Sequence, residues 1–147
     1  MLIRANDQAV CYIGFPELIP EDYPNELTNL ASIQLKEYFE RLRQHFDFAF
    51  EQQGTLFQQS VWKELLNIKA GNPVSYAALS KKMNNPLAIR AIAAANGRNN
   101  LMIVVPCHRV IGSDGRLVGY AGGLWRKEWL LQHENMMTAR GQTAITF

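Results

Sequence analysis

A chain of 147 residues, 48% of them hydrophobic and 10% aromatic, can bury a core as one domain or two small ones and is too apolar to be disordered. Its apolar runs fall far short of a membrane span and Met1-Leu2-Ile3-Arg4 does not read as a signal peptide, so a cytoplasmic setting is expected (nuclear in a eukaryote), where the two cysteines, Cys11 and Cys107, should not pair. The net charge of +2 hides an asymmetry: residues 1–73 hold 6 Lys/Arg against 10 Asp/Glu, residues 74–147 hold 9 against 3, and a basic half suits nucleic acid as well as many other surfaces.

In chain order, "LIRAND" (2–7) and "QAVCYIGF" (8–15) read as two strands around an Asn6-Asp7 turn, with Cys11 a buried strand residue among apolar neighbours. Residues 24–46 carry Leu27, Leu30, Ala31, Leu35, Tyr38 and Leu42 at helical spacing, with Pro24 at the first helical position. "FDFAFE" (46–51) alternates strictly and reads as a third strand. These elements predict a small α+β domain over residues 1–53 and a second domain over 54–147.

Thr55 is placed to cap a helix in which Phe57, Val61, Trp62, Leu65 and Leu66 form one stripe. Gly71-Asn72-Pro73 breaks the chain, and Ser75 caps a short helix over 76–83. A second helix follows, with Asn85 as cap, Pro86 at its first position and Gly97 at its end. Helix, tight turn, helix is helix-turn-helix spacing. "LMIVVPCHRVIGSDGRLVGYAGG" (101–123) predicts a strand and then a hairpin about Asp114-Gly115, shaped like a wing. The last helix, from residue 124, should turn Leu124, Trp129 and Leu130 inward. The tail from 138 has no clear pattern.

Cys107 stands beside His108, just past a β-branched run. A thiol reacts as thiolate, of which a cysteine with a pKa of about 8.5 holds only a few per cent at neutral pH, so a nucleophile needs help from its surroundings. Adjacent residues on an extended segment face opposite ways, and a water or a turn would have to connect thiol and imidazole. His108 in turn needs a carboxylate. Asp114 suits a hairpin turn, and Glu128, between Lys127 and Trp129, suits a solvated face. Glu134 sits near a helix end, where its charge opposes the dipole, and is the better functional candidate. The residues alone leave two readings open, a core cysteine and a Cys-His-Glu arrangement.

"PCHRV" (106–110), with "RAIAAANGRNN" (90–100) before it and "GYAGGLWRKEWLLQHE" (119–134) after it, closely resembles the O6-alkylguanine-DNA alkyltransferases. "FQQSVWKELLNIKAGNPVSYAALS" (57–80) extends the match to most of residues 55–135, while the first 50 residues agree only in general pattern. The resemblance implies an α+β fold, with an amino-terminal antiparallel sheet and helix (ribonuclease H-like in the family) before a mainly helical, winged helix-turn-helix-like DNA-binding domain. It makes Cys107 the alkyl acceptor, with a relay running from Glu134 through His108 and a water. Asn99 matches the asparagine that braces the turn before the active site. Tyr76 matches the tyrosine assisting the guanine leaving group, where a donor offsets developing negative charge.

Tyr120 and Ala121 match the wall of the guanine pocket. Some relatives carry serine in place of Ala121, so contact with the guanine oxygen would here rest on backbone amides. Arg90 matches the family's intercalating arginine, which fills the gap when the nucleotide is flipped out of the duplex. The small residues around it permit close approach to a groove. Phe57, Ala77, Asn85 and Ser113 match DNA-contacting positions, although residues at helix starts are also ordinary caps.

Three readings compete: a stoichiometric DNA-repair alkyltransferase, a non-catalytic lesion-sensing or helix-turn-helix protein, and a cysteine hydrolase. Lesion sensors of this kind lack the reactive cysteine, and no known peptidase signature surrounds Cys107. The expected protein is a monomer that transfers an alkyl group, methyl foremost, from O6-alkylguanine and O4-alkylthymine in double-stranded DNA. It needs no cofactor and binds no metal, because the alkylated base is itself the donor and the cysteines and histidines show no paired ligand spacing.

Overall fold

The computed structural model describes residues 1–139. The amino-terminal hairpin forms as the sequence predicts: β1 (Leu2–Ala5) pairs antiparallel with β2 (Val10–Gly14), Ile3 opposite Ile13. The Asn6 side chain accepts from the amides of Gln8 and Ala9 and so turns the chain between them. Cys11 lies on β2 but is only half-buried, its thiol facing the Arg4 carbonyl.

Residues 46–51 do not become a third strand. They touch β2 at one parallel bridge, Val10 with Phe50. The alternation still sorts side chains, since Phe48 is buried while Asp47 and Ala49 are exposed. The ladder stops because β2 divides its remaining backbone groups. Val10 bonds to Ala49 and Glu51, whereas Ile13 bonds to Asn100 and Met102.

The first helix, α1 (Glu26–Phe39), starts after Asn25, not at Pro24, because Asn25 and Thr28 cap each other reciprocally. Its buried stripe is Ala31, Gln34, Leu35 and Tyr38. Leu30 and Leu42, expected inward, are 40% and 65% exposed. One sits a residue off the stripe and the other lies past the helix end, where Arg41 turns left-handed.

The Thr55 cap of α2 (Leu56–Leu65) is as expected, while Leu66, beyond the last helical residue, is exposed. The Trp62 indole donates to the Ala95 carbonyl at 2.9 Å and pins α2 to the helix-turn-helix. Its first helix is α3 (Tyr76–Lys82), capped by Ser75 as predicted. The second, α4 (Ile89–Gly97), starts later than expected. Asn85 and Pro86 lie in the connecting turn, with the Ala88 amide on the Asn85 carbonyl, and Ala88 is the cap without a side-chain bond. A proline's fixed φ serves a turn corner as well as a helix start.

No strand forms over 103–105. Ile103 is left-handed (φ 74°), a costly conformation for a β-branched residue, and the chain turns on itself with the Val105 amide on the Leu101 carbonyl. The strand that does form is β4 (Val110–Ile111), parallel to β3 (Val74–Ser75). β3 runs straight into Tyr76 and β4 follows straight from Cys107–Arg109, so this short pair sets Tyr76 beside the cysteine.

The wing has its turn, with the Gly112 amide on the Arg116 carbonyl and Gly115 at φ 82°, but no return strand. The carbonyls of Val118 and Gly119 are taken by Lys127 instead. Lys127 belongs to α5 (Leu124–Thr138), whose inward face also departs from expectation. Leu124 and Trp129 are 48% and 47% exposed, and the buried residues are Lys127, Leu130, His133, Glu134 and Met137. Hydrophobicity misleads here because this face closes on polar groups. The tail from residue 140 lies outside the described residues. A buried cluster runs from Val10 and Tyr38 through Trp62 and Ile92 to Val110 and Leu130.

Candidate active site

Pro106 has no amide hydrogen and leads into a single 3₁₀ turn, Cys107–Arg109. Cys107 and His108 are therefore on a helical turn, not the extended segment expected of them. Asn99 holds this turn from below. Its Nδ2 donates to the Val105 carbonyl at 2.8 Å, and its Oδ1 accepts from the Leu101 amide at 3.0 Å and from Gln52 Nε2 at 2.9 Å. These bonds tie the turn before Cys107 to Gln52.

Cys107 lines a pocket of about 170 Å³ with Tyr76, Asn96, Asn99, Tyr120 and Ala121 among its walls. Only 4% of the residue is exposed, and burial pushes the thiol's pKa up. A hydrogen bond from Asn99 and the positive charge of Lys127 act against that rise. The resting sulfur is thus a thiol, with two groups placed to favour its anion.

Behind the pocket, Glu134 is fully buried and heavily bonded. Arg109 grips it in a fork, Nε to Oε1 at 2.9 Å and Nη2 to Oε2 at 2.7 Å, and Tyr38 donates to Oε2 at 2.8 Å. His108 Nε2 lies 2.9 Å from the same Oε2. Arg109, Tyr38 and His108 crowd one oxygen, so the imidazole contact is short without being aligned as a straight hydrogen bond. Burial alone would raise the carboxyl's pKa, but His108 and Arg109 hold it down at about 2. Burial lowers the pKa of His108 despite Glu134, so the ring is neutral near pH 7, and its Nδ1 has no bond among the described residues.

Tyr76 is half-buried at the start of α3, and its oxygen accepts from Asn96 Nδ2 at 3.1 Å. The Tyr120 hydroxyl is buried without a bond among the described residues. Lys127 fixes the wall between them by donating to the carbonyls of Val118 and Gly119, both at 3.2 Å. Burial pulls the lysine's pKa down.

The expected residues thus fall into three places. Cys107, Tyr76, Asn99, Tyr120 and Ala121 share the pocket, while His108 and Glu134 sit behind the thiol. Arg90, Asn85 and Ser113 are exposed outside it, and Phe57 and Ala77 are half-buried near the starts of α2 and α3. Arg90 makes no ion pair among the described residues. Sequence reasoning missed Asn96, Arg109, Tyr38 and Lys127. A signal for Lys127 existed, because 127, 130, 134 and 137 lie on one helical stripe. Its charge obscures that signal, because a lysine between Arg126 and Glu128 suits a solvated face. No group of three metal-ligating side chains occurs among the described residues.

Residues 56–136 match the family model of the 6-O-methylguanine DNA methyltransferase DNA-binding domain. A methylated-DNA–protein-cysteine methyltransferase of Methanosarcina acetivorans is 39% identical over 141 residues, 91% of this chain and 90% of that protein. A protein of the same name from Methanosarcina mazei is 46% identical over 114 residues, covering 78% of this chain and 70% of its own. Among solved structures, Mycobacterium tuberculosis OGT in complex with DNA superposes with a TM-score of 0.83 at 36% identity, over 92% of this chain and 86% of that one.

Two predictions follow from the electrostatics. Glu134→Gln leaves the Arg109 guanidinium buried without its counter-charge and should cost about 3–5 kcal/mol in urea denaturation near neutral pH. Because the folded carboxyl titrates near 2 against an ordinary 4.5, the native protein should hold this stabilisation above about pH 4.5 and lose it as pH falls toward 2. The Gln variant should lack that part of the acid dependence, and matching pH profiles would remove Glu134 as its source. Lys127→Met removes the cation that favours the Cys107 anion. Its rate of alkylation by a small reagent should follow a titration displaced to higher pH than in the unaltered protein, and an undisplaced profile would confine Lys127 to holding the pocket wall.

Proposed function

The chain belongs to the 6-O-methylguanine DNA methyltransferase family, and from that premise we propose how its residues divide the work. The protein repairs DNA by direct reversal of damage, moving an alkyl group from O6-alkylguanine irreversibly onto one of its own cysteines. The acceptor is Cys107. The observation that carries this assignment is a buried free thiol lining a pocket at the root of a helix-turn-helix.

The thiol proton leaves toward His108, with one water carrying it from sulfur to the unbonded Nδ1. Glu134 keeps Nε2 as the protonated nitrogen and stabilises the charged ring. Asn99 and Lys127 favour the anion as it forms. The sulfur then attacks the alkyl carbon. The C–S bond forms, the C–O6 bond breaks, and guanine departs with the electron pair. Tyr76 donates a hydrogen to the departing base, while Tyr120 and the backbone about Ala121 form the pocket wall. Thiol and alkylguanine become thioether and guanine, with protons conserved. The alkylated base is the donor, so no cofactor takes part.

The reacting carbon of a duplex lesion lies inside the base stack, so the nucleotide must be extruded before it can enter the pocket. Arg90, exposed on α4 among small residues, fills the vacated place. Phe57, Ala77, Asn85 and Ser113 meet the backbone of double-stranded DNA, which makes residues 54–147 the DNA-facing domain. O4-alkylthymine offers an equivalent alkyl carbon and is a second substrate. The protein works as a monomer in the cytoplasm, or in the nucleus of a eukaryote. Among the described residues no helix is long and apolar enough to cross a membrane. A lesion-sensing role without transfer is not favoured, since Cys107 is present.

A thioether offers water no good leaving group, so each protein molecule should repair one lesion. Intact-mass measurement after incubation with O6-methylguanine DNA should show one added methyl, on Cys107, and none in Cys107→Ser. Continued repair at substoichiometric protein would refute the assignment. The role of Arg90 is tested by substrate choice. Arg90→Ala and Arg90→Lys should both slow repair of duplex DNA at saturating protein, by about tenfold if ~1.4 kcal/mol of compensation for unstacking is lost. Both should react normally with free O6-benzylguanine, which needs no extrusion. Equal losses on the two substrates would instead assign Arg90 to the pocket or the fold.

A further inference from the structure

Asn96 lies in the last turn of α4, 5% exposed, with its side chain in the wall of the Cys107 pocket. Its amide has one sensible orientation. The Cys107 carbonyl, 3.2 Å away, can only accept, so the atom facing it is the nitrogen. That same Nδ2 is 3.1 Å from Tyr76 Oη and presents its second hydrogen there. A phenol oxygen that accepts from Asn96 keeps its own hydrogen for another partner. Among the described residues no acceptor takes it, and the Tyr76 ring borders the pocket. The other end of the amide, Oδ1, is buried without a bond among the described residues. Such an orphan costs stability, and the cost is borne at this position while both nitrogen hydrogens are used.

We propose that Asn96 is a positioning residue for alkyl transfer, fixing the Tyr76 hydroxyl as a hydrogen donor into the pocket and tying it to the backbone of the nucleophile. The proposal rests on the reading of Tyr76 as donor to the departing guanine. As the C–O6 bond breaks, its electron pair moves into the purine, and Tyr76 shares or gives its hydrogen to a ring atom. Negative charge then grows on Oη, where the Asn96 N–H already points and need not reorganise. The phenol regains any proton it gives from solvent, while the thiol proton has gone to His108. Burial raises the phenol's pKa and the bond from Asn96 lowers it, the direction a hydrogen donor requires. Without the amide, the hydroxyl is free to rotate away and its anion loses a neighbour.

A double-mutant cycle tests this, read as the single-turnover rate of transfer from O6-methylguanine duplex DNA at saturating protein. Tyr76→Phe should slow transfer by about 10²-fold, the lower end of general-acid contributions. Asn96→Leu, with the same branched skeleton but without hydrogen bonds, should slow it by about tenfold, the equivalent of one net hydrogen bond. In the double variant, Asn96→Leu should cost nothing beyond the loss from Tyr76→Phe. Multiplicative losses, or an unslowed Asn96→Leu single variant, would overturn the role given to Asn96. An unslowed Tyr76→Phe would instead overturn the reading of Tyr76 on which it rests.

A second measurement follows the Tyr76 phenol directly, as the ultraviolet titration difference between each protein and its Tyr76→Phe counterpart. Asn96→Leu should move that titration to higher pH, and an unmoved titration would also overturn the proposal. Asn96→Ser, too short to reach both acceptors, serves both measurements if Asn96→Leu does not fold.

Discussion

A carboxylate buried in the protein interior, Glu134, is the constraint around which the other parts of the site are arranged. Taking an ion out of water costs several kcal/mol even after relaxation, so the group persists only where donors surround it. They come from three directions: Tyr38 from α1, His108 from the 3₁₀ turn, and Arg109 from the same turn as a two-bond fork. Arg109 needs its own compensation and reaches the Ile68 carbonyl at 2.6 Å, beyond α2. Once α5 brings Glu134 inside, the placing of α1, the turn after Pro106 and the segment after α2 is constrained by its bonds. Glu134 is thereby a structural keystone, and a loss of activity on removing it would not by itself measure catalysis.

Arg109 also alters what Glu134 can do for His108. A carboxylate shared among an arginine fork, a phenol and an imidazole has less of its charge to give to the imidazole than an unshared one would have. Burial is the main reason that His108 rests neutral, the Arg109 charge adds to it, and burial likewise keeps the thiol protonated. The site therefore does not store a thiolate. Asn99 and the buried Lys127 ammonium favour the anion without holding it at rest. If Cys107 is the alkyl acceptor proposed above, a protected resting thiol suits it better than a permanently ionised one, which would meet other electrophiles first.

Local chemistry made much of the fold legible in the sequence. Asn6 in its turn, Thr55 and Ser75 at their helix starts, and the wing turn at Gly115 all act through neighbours a few residues away. The errors arose where distant groups decide. Ile103, Val104 and Val105 have strand chemistry, yet the Asn99 clamp and the bonds of β2 to residues 100–102 coil them into a turn. On α5 the pattern of apolar residues favoured Trp129 over Lys127, because nothing local announces that two carbonyls and a buried thiol await a cation. For the site, the family motif gathered Cys107, His108, Glu134 and Tyr76. It was silent on Asn96, whose importance is visible only once its nitrogen is seen between a phenol and the carbonyl of the cysteine.

The first 53 residues carry none of the groups that face the pocket, yet each half of the site leans on them. Tyr38 spends its hydroxyl on Glu134 in back of the thiol, and the carbonyl of the same residue lies 2.8 Å from His133 Nε2 on α5. Gln52 reaches the other half, donating to Asn99 Oδ1 and accepting from the Asn100 amide at 2.8 Å. The asparagine that braces the turn under Cys107 is therefore itself braced by the link between the two parts of the chain. β2 completes the arrangement by holding Asn100 and Met102 through Ile13. The amino-terminal residues thus support the site without lining its pocket. They fix, from behind and from below, the two segments whose spacing sets where the sulfur lies.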